Sequence, residues 1–250
     1  MVAAKTIHFV HGWGLGPEVW QSLLAALPAW IRPNVIALPG YVDATHAEFP
    51  TDIGALAQLL STHSRVPAVW LGWSLGGMGV LELAAHYPTL VRALIVVGTN
   101  LSFITRRGWP RALTPAQLAD MTERVEQDTA AALRYFASLT ALRGNGSRET
   151  ARMLMSCLQR TVPPAPSALR AGLQILRDTD LRPSIRAVGC PIMVIAGAED
   201  PLVPAAAAQA MRVLNPNVTV STIAGAGHAP FLSHRAEFVT ALIGFLRPDE

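Results

Sequence analysis

The segment GWSLG at residues 72–76 places Ser74 between two glycines, each two positions away. A serine hydroxyl attacks an ester carbonyl only when a turn exposes it and a neighbouring base accepts its proton. Glycines at these spacings leave room for a sharp strand-to-helix turn, and the apolar segment 67–73 precedes the serine. The pattern therefore predicts that Ser74 is a nucleophile on such a turn.

A nucleophilic serine requires a base and a third group that orients the base, in the chain order serine, acid, histidine. His228 lies in the small-residue loop GAGHAP at 225–230, after the strand-like segment 218–223. Asp200 follows the strand-like segment 191–197, at the sheet edge where ligands bind in α/β folds. We predict His228 as the base and Asp200 as the acid, with Glu199 as the adjacent competitor.

The remaining histidines and two other aspartates fit structural roles better. We expect Asp178 and Asp180 to form a cap or turn, and His86 to lie on the helix after Ser74. His8 and His11 precede the serine in the chain, and three others lack a loop like that of His228: His46, His63 and His234.

A tetrahedral intermediate needs hydrogen-bond donors aimed at its oxyanion. The residue after the nucleophile, Leu75, supplies one backbone N–H, and the loop after an earlier strand supplies the second. The segment HGWG at 11–14 follows the strand-like segment 6–10, so we predict Trp13 N–H as the second donor. The alternative is a plain glycine turn.

Short apolar segments alternate with helical patterns and predict the elements that must position these residues. Strands are expected at 6–10, 34–38, 67–73, 93–98, 191–197 and 218–223, and helices at 52–63, 76–86, 204–213 and 235–246. Continuous apolar runs suit a sheet that is covered on both faces. The pattern predicts an α/β fold with a mostly parallel sheet flanked by helices.

The alternation stops between residues 101 and 186, where helices are expected at 115–142, 147–160 and 167–177. This segment holds 13 arginines and 7 acidic residues, whereas the whole chain has a net charge of only +3. We predict a core of residues 1–100 and 187–250 and a helical lid of residues 101–186 over the site. The alternative is a second, independent domain.

Composition excludes several classes of protein. Of 250 residues, 51% are hydrophobic and 15% are charged, which excludes a disordered chain. Two cysteines form no disulfide framework, and no cleavable leader or spanning segment is recognisable, so we expect a cytoplasmic protein. The sequence shows no nucleotide-binding glycine motif, no metal-ligand cluster and no nucleic-acid-binding motif, so we expect neither cofactor, metal nor nucleic acid, and a monomer.

Six segments of the chain together resemble the α/β-hydrolase superfamily. They are HGWGL, LPG at 38–40, WLGWSLGG, GLQIL at 172–176, TDLR at 179–182 and HAPFLSH. Within it, the chain resembles the pimeloyl-[acyl-carrier protein] methyl ester esterases of biotin synthesis. This resemblance implies an α/β-hydrolase fold, with Ser74, Asp200 and His228 as a catalytic triad and Trp13 and Leu75 N–H as the oxyanion hole.

The resemblance also implies roles for lid residues. Phe136 and Thr140 would contact the acyl chain, although Thr140 stands where the family usually has glutamine. Arg148 and Arg152 would hold the acidic carrier protein, whereas two further family arginines are replaced near Ala131 and Tyr135. Only five residues precede the first predicted strand, so the family's extra N-terminal strand is expected to be missing.

The function expected from this resemblance is hydrolysis of the methyl ester of pimeloyl-acyl carrier protein through an acyl-enzyme. The first alternative is a carboxylesterase of broad specificity for small esters. The third hypothesis is a ligand-binding receptor that has kept the hydrolase fold. The intact set of serine, acid and histidine argues against it. An epoxide hydrolase would need an aspartate where Ser74 stands.

Overall fold

The computed structural model describes residues 4–42 and 48–246, which form one six-stranded sheet with helices around it. The strands are β1 Lys5–Val10, β2 Ile31–Ile36, β3 Ala68–Trp73, β4 Val91–Val97, β5 Ile192–Gly197 and β6 Val218–Ile223. Their order is β2-β1-β3-β4-β5-β6, and every pair is parallel. Since β3 and β5 are buried at every position, the uniformly apolar sequences of these strands are explained.

The strand β2 begins and ends earlier than the predicted 34–38. It includes Pro33, which lacks an N–H group but is tolerated because β2 is an edge strand. The segment ends at Ile36, and Leu38 N–H donates instead to the His11 ring Nε2 at 2.9 Å. The prediction for this strand was therefore wrong by three residues at its start and two at its end.

Among the described residues, six α-helices surround the sheet outside the segment between β4 and β5. They are α1 Gln21–Leu24, α2 Ile53–Ser61, α3 Leu75–His86, α9 Ala205–Leu214, α10 Pro230–Ser233 and α11 Arg235–Leu246. The α2 helix begins at the cap Asp52, whose carboxylate accepts from Ala55 N–H at 2.8 Å. The predicted helices of this part of the chain are confirmed to within two residues.

Five helices lie between β4 and β5: α4 Pro115–Gln127, α5 Thr129–Thr140, α6 Ser147–Arg160, α7 Pro166–Asp178 and α8 Arg182–Ala187. The prediction of one continuous helix over 115–142 was wrong, because Asp128 adopts an extended conformation and separates α4 from α5. Its carboxylate caps α5 by accepting from Ala131 N–H at 2.9 Å. The division of the chain into a core and a lid stays a prediction.

Sheet and helices share one apolar core, which includes side chains from the segment between β4 and β5, such as Leu133, Leu169 and Leu173. Among the described helices, none is both long and apolar enough to cross a membrane. The loops after β1, β3, β5 and β6 lie at the carboxyl edge of the sheet, since all strands run parallel. These four loops contain Trp13, Ser74, Asp200 and His228, respectively.

Candidate active site

Ser74 lies on the sharp turn between β3 and α3, as the sequence predicts. Its φ of 54° and ψ of −116° fall outside the regions that side-chain-bearing residues normally occupy. The turn is possible because Gly72 and Gly76 have no Cβ atom. A Cβ atom on Gly72 would collide with the Gly76 carbonyl, and one on Gly76 would collide with the His11 carbonyl. The serine N–H donates to the Val97 carbonyl at 2.9 Å, which fixes the turn to the adjacent strand.

Asp200 and His228 form a buried pair. The His228 Nδ1 atom lies 2.8 Å from Asp200 Oδ2, and the two side chains are 0% and 1% exposed. The other carboxylate oxygen of Asp200 accepts from the N–H groups of Leu202 and Val203, at 2.8 and 2.9 Å. Because the carboxylate is fixed in this way, it accepts from Nδ1–H and leaves Nε2 as the basic nitrogen.

The histidine is next to the nucleophile turn. The Trp73 indole Nε1–H donates to the His228 carbonyl at 2.9 Å, so the residue before Ser74 contacts the histidine backbone directly. His228 Nε2 is buried and has no hydrogen-bond partner among the described residues. Glu199, the competing acid, is exposed, and its N–H donates to the Ala226 carbonyl. The geometry therefore favours Asp200 as the orienting acid.

The loop after β1 lies beside Ser74. A Cβ atom on Gly12 would lie 3.1 Å from the Ser74 Cβ, so this loop is in contact with the nucleophile. Its next residue, Trp13, is buried, and its indole Nε1–H donates to the Leu169 carbonyl of α7 at 2.8 Å. Leu75 is the first residue of α3, and its N–H has no acceptor within the helix. Both predicted oxyanion donors are therefore near the serine.

His11 and Tyr41 hold this loop, and sequence reasoning assigned a function to neither. His11 Nδ1–H donates to the Gly12 carbonyl at 2.9 Å, and its Nε2 accepts from Leu38 N–H. The Tyr41 hydroxyl accepts from Gly14 N–H at 2.9 Å and its ring packs on that of His11. Complete burial lowers the pKa of His11 to about 4 and raises that of Tyr41. The position of His11 directly before GWG was the feature of the sequence that could have indicated its role in holding this loop.

An apolar cavity of about 360 Å³ opens at Ser74 and Trp13. Its wall is built mainly from α4, α5 and α7 and comprises Trp13, Ser74, Phe103, Leu113, Ala116, Gln117, Leu118, Asp120, Met121, Tyr135, Phe136, Leu139, Leu173, Leu176, Pro201 and Leu202. Phe136 packs edge-to-face on Trp13, with ring centroids 4.9 Å apart. The cavity thus leads from the serine along the helices that follow β4.

Thr140 is placed differently from Phe136. It is fully buried, is not one of the residues that line the cavity, and its carbonyl accepts from His228 N–H at 3.3 Å. Its Oγ1 atom has no hydrogen-bond partner within the described part of the chain. The structure thus brings Thr140 to the histidine rather than to the cavity wall.

The two arginines expected to hold a carrier protein lie exposed on the first turns of α6. Arg152 Nη2 is 4.0 Å from Glu149 Oε1, and these side chains are 78% and 72% exposed. An exposed pair at this distance leaves the guanidinium available to another anion.

The remaining candidates have structural positions. Asp178 pairs with Arg177, and Asp180 accepts from the Arg182 backbone N–H and side chain, which fits the predicted turn. His86 ends α3, 3.0 Å from Glu82. Two histidines bond locally, His63 to Leu59 and His234 to Ser233, and His8 bonds to Asn34. His46 lies outside the described residues.

Solved structures of similar shape support the same fold. An esterase from Exiguobacterium antarcticum superimposes with a TM-score of 0.85 at 19% identity, covering 99% of this chain and 94% of that one. A bromoperoxidase from Bacillus anthracis gives a TM-score of 0.86 at 21% identity, with coverage of 98% and 93%. A profile of the alpha/beta hydrolase family matches residues 9–241. The chain therefore belongs to the alpha/beta hydrolase family.

Closer relatives narrow this class. The pimeloyl-[acyl-carrier protein] methyl ester esterase of Aromatoleum aromaticum is 39% identical over 230 residues, covering 90% of this chain and 91% of the relative. The esterase of the same name from Edwardsiella ictaluri is 34% identical over 241 residues, with coverage of 96% and 93%. Within the hydrolases, the chain is a member of the pimeloyl-[acyl-carrier protein] methyl ester esterase family.

Proposed function

We propose that this chain hydrolyses the methyl ester of a pimeloyl group borne on acyl carrier protein, in biotin synthesis, with Ser74 as the nucleophile. The observation that supports this chemistry best is the buried Asp200–His228 pair beside the strained turn of Ser74. Ser74 also lines an apolar cavity that is suited to a hydrocarbon chain. Relatives covering nearly the whole chain are esterases of this substrate by name.

In the first half of the reaction, Ser74 Oγ attacks the carbonyl carbon of the methyl ester while His228 Nε2 accepts the hydroxyl proton. The negative charge that develops on the carbonyl oxygen is stabilised by the N–H groups of Trp13 and Leu75. Asp200 accepts from Nδ1–H and stabilises the imidazolium without taking the proton itself.

Collapse of the intermediate breaks the bond to the methoxy group, which leaves as methanol with the proton from His228. The product is an ester between the acyl chain and Ser74. A water molecule then attacks this ester, with His228 as the base, and releases the free carboxylic acid while the serine regains its proton. One histidine nitrogen thus serves both halves of the reaction.

The cavity fits the acyl part of this substrate. Apolar side chains such as Phe136, Leu139 and Leu173 line most of it, whereas Gln117 and Asp120 place polar groups on α4. In this proposal the helices from α4 to α8 act as a lid, and the acyl chain lies between them and the serine. The carrier protein docks on the exposed Arg148 and Arg152 of α6.

A carboxylesterase with broad specificity for small esters is the second candidate. The favouring observation is the cavity itself, whose mainly apolar wall would accept many short acyl groups. The two candidates differ in substrate preference: the proposed enzyme should have a much higher kcat/KM for a carrier-bound methyl ester than for a short aryl ester. The second candidate reverses this order.

The decisive experiment is complementation of a bacterial biotin auxotroph that lacks its own methyl ester esterase. We expect the parent chain to restore growth without biotin, and Ser74→Ala to fail while remaining folded and soluble. Since Ser74→Ala removes the nucleophile, its turnover should fall by several orders of magnitude. Growth supported by Ser74→Ala would exclude the proposed mechanism. Failure of a soluble, active parent chain would favour the small-ester candidate.

A further inference from the structure

The connection between α5 and α6, residues 141–146, lies directly on the loop that contains His228. We call these segments the α5–α6 loop and the histidine loop, the latter being residues 225–228. Asn145 N–H donates to the Gly225 carbonyl at 2.7 Å, and His228 N–H donates to the carbonyl of Thr140, the last residue of α5, at 3.3 Å. Both ends of the histidine loop are therefore hydrogen-bonded to the segment between β4 and β5.

The two backbones also lie in close contact at their glycines. A Cβ atom on Gly144 would lie 3.0 Å from Gly227 N and 3.2 Å from the Gly225 carbonyl oxygen. From the other side, a Cβ atom on Gly227 would lie 3.2 Å from the Thr140 carbonyl oxygen and 3.4 Å from that of Leu142. Because these neighbours are backbone atoms, they yield only if one of the loops moves.

The rest of the protein holds the middle and the far end of the histidine loop. Glu199 N–H donates to the Ala226 carbonyl at 2.9 Å, and the Trp73 indole to the His228 carbonyl at 2.9 Å. Among the described residues, the His228 ring hydrogen-bonds through Nδ1 to Asp200 and packs on the Trp73 ring, whereas Nε2 has no hydrogen-bond partner. The distance between Nε2 and the serine thus depends on where the loop backbone is held.

We propose that the α5–α6 loop is a positioning element for His228, and that it sets the rate of proton transfer between this histidine and Ser74. The inference rests on the proposed role of His228 as the base. Since α6 begins at Ser147, two residues after Asn145, a partner that docks on α6 also bears on the position of the histidine. Displacement of the α5–α6 loop therefore changes kcat and leaves binding of a small ester unaffected.

The test is Gly144→Ala, assayed with a short aryl ester that needs no carrier protein. Gly189→Ala is the matched control, because among the described residues no atom beyond its own chain neighbours lies within 4 Å of the added methyl group. Neither glycine has a positive φ, so alanine is allowed by the backbone at both positions. We expect Gly144→Ala to lower kcat by about tenfold or more, since small displacements of a catalytic group are costly. We expect KM to stay within about twofold of the Gly189→Ala value.

A second variant, Gly227→Ala, inserts a methyl group from the opposite side at slightly longer distances and guards against misfolding of the first. We expect the same loss in kcat, and a double variant whose loss is smaller than the product of the single losses, because both methyl groups open one interface. An unchanged kcat in both folded variants would overturn the inference, as would a change confined to KM. A loss of kcat that merely matches the fraction of unfolded protein would overturn it as well. A parent chain active on the aryl ester but inactive on the carrier-bound ester would contradict the proposed substrate and leave this inference standing.

Discussion

Thr140 carries a buried hydroxyl whose Oγ1 makes no hydrogen bond to the described residues. A buried donor without a partner costs roughly 1–3 kcal/mol, and valine has nearly the same shape without the hydroxyl. We therefore expect Thr140→Val to raise the free energy of unfolding by about 1 kcal/mol, measured by urea denaturation. Thr140→Ser, which keeps the hydroxyl and loses a methyl group, should lower it.

The same variant tests the contact with substrate that the sequence resemblance implies for Thr140. Because this residue does not line the cavity, we expect KM for a small ester to be unchanged in Thr140→Val. A several-fold rise in KM, with stability raised or unchanged, would instead support contact between the hydroxyl and the substrate.

Individual residues differ in how far the sequence could identify them. The turn of Ser74 and the loop of His228 follow from local patterns of glycine and apolar residues, and the structure places both next to Trp73. The sequence predicts Asp200 rather than the adjacent Glu199, and the structure adds the turn that directs Asp200 Oδ1 to the N–H groups of Leu202 and Val203. The contact of Thr140 with the histidine loop could not be predicted from local patterns, because it joins segments far apart in the chain.

The loop from His11 to Gly14 is an element whose hydrogen bonds require a neutral histidine. His11 Nε2 accepts from Leu38 N–H and could not do so when protonated. Burial lowers its pKa from 6.5 to about 4, so the unfolded chain binds this proton at a higher pH than the folded protein does. Stability from this group is complete above about pH 6.5 and is lost as the pH falls towards 4.

We expect the free energy of unfolding to fall by about 3 kcal/mol between pH 7 and pH 4 through His11 alone. Denaturation of the parent and of His11→Asn over this range checks the sign and the size. The variant should be less stable at pH 7 and should show a shallower dependence on pH. Burial also lowers the pKa of His8, so the difference between the two proteins isolates His11. Identical pH slopes would contradict the assignment.

Elements were predicted well where one local pattern determines them. The buried strands β3 and β5 and the amphipathic helices α7 and α9 were located to within one residue. The errors occurred where a capping residue, a short element or the position of a strand at the sheet edge decides. Asp128 interrupts the helical pattern over 115–142 because its carboxylate caps α5, and the short α8 lacked a recognisable periodicity. Strand β2 was displaced because Pro33 suggested a boundary, whereas the edge of the sheet tolerates it.

At the scale of the molecule, the distribution of charge matters more than the net charge. Residues 101–186 carry an excess of six positive charges, whereas the remainder of the chain is slightly acidic. Such a field increases the encounter rate with an acidic partner and is screened by salt. We therefore expect Arg148→Glu plus Arg152→Glu to lower kcat/KM for a carrier-bound ester at least tenfold at low salt. The value for a short aryl ester should stay within about twofold.

A control variant with the same change in net charge distinguishes the effect of where the charges lie from the effect of the total charge. Arg65 and Arg212 are exposed and lie outside residues 101–186, so Arg65→Glu plus Arg212→Glu serves this purpose. We expect little effect of the control pair on either substrate, and a difference between the two double variants that shrinks at 0.5 M salt. Equal losses for both substrates in the α6 variant would contradict a docking role for these arginines.

The contact between residues 140–146 and the histidine loop has a consequence for enzyme engineering. Exchanging residues 101–186 for the corresponding segment of another hydrolase is an obvious way to change the acyl group that is accepted. Such a chimera would also replace the carbonyl of Thr140 and the N–H of Asn145, which hold both ends of the histidine loop. A transplanted segment would therefore need a glycine-containing loop of the same geometry, or the new specificity would come with a slow enzyme.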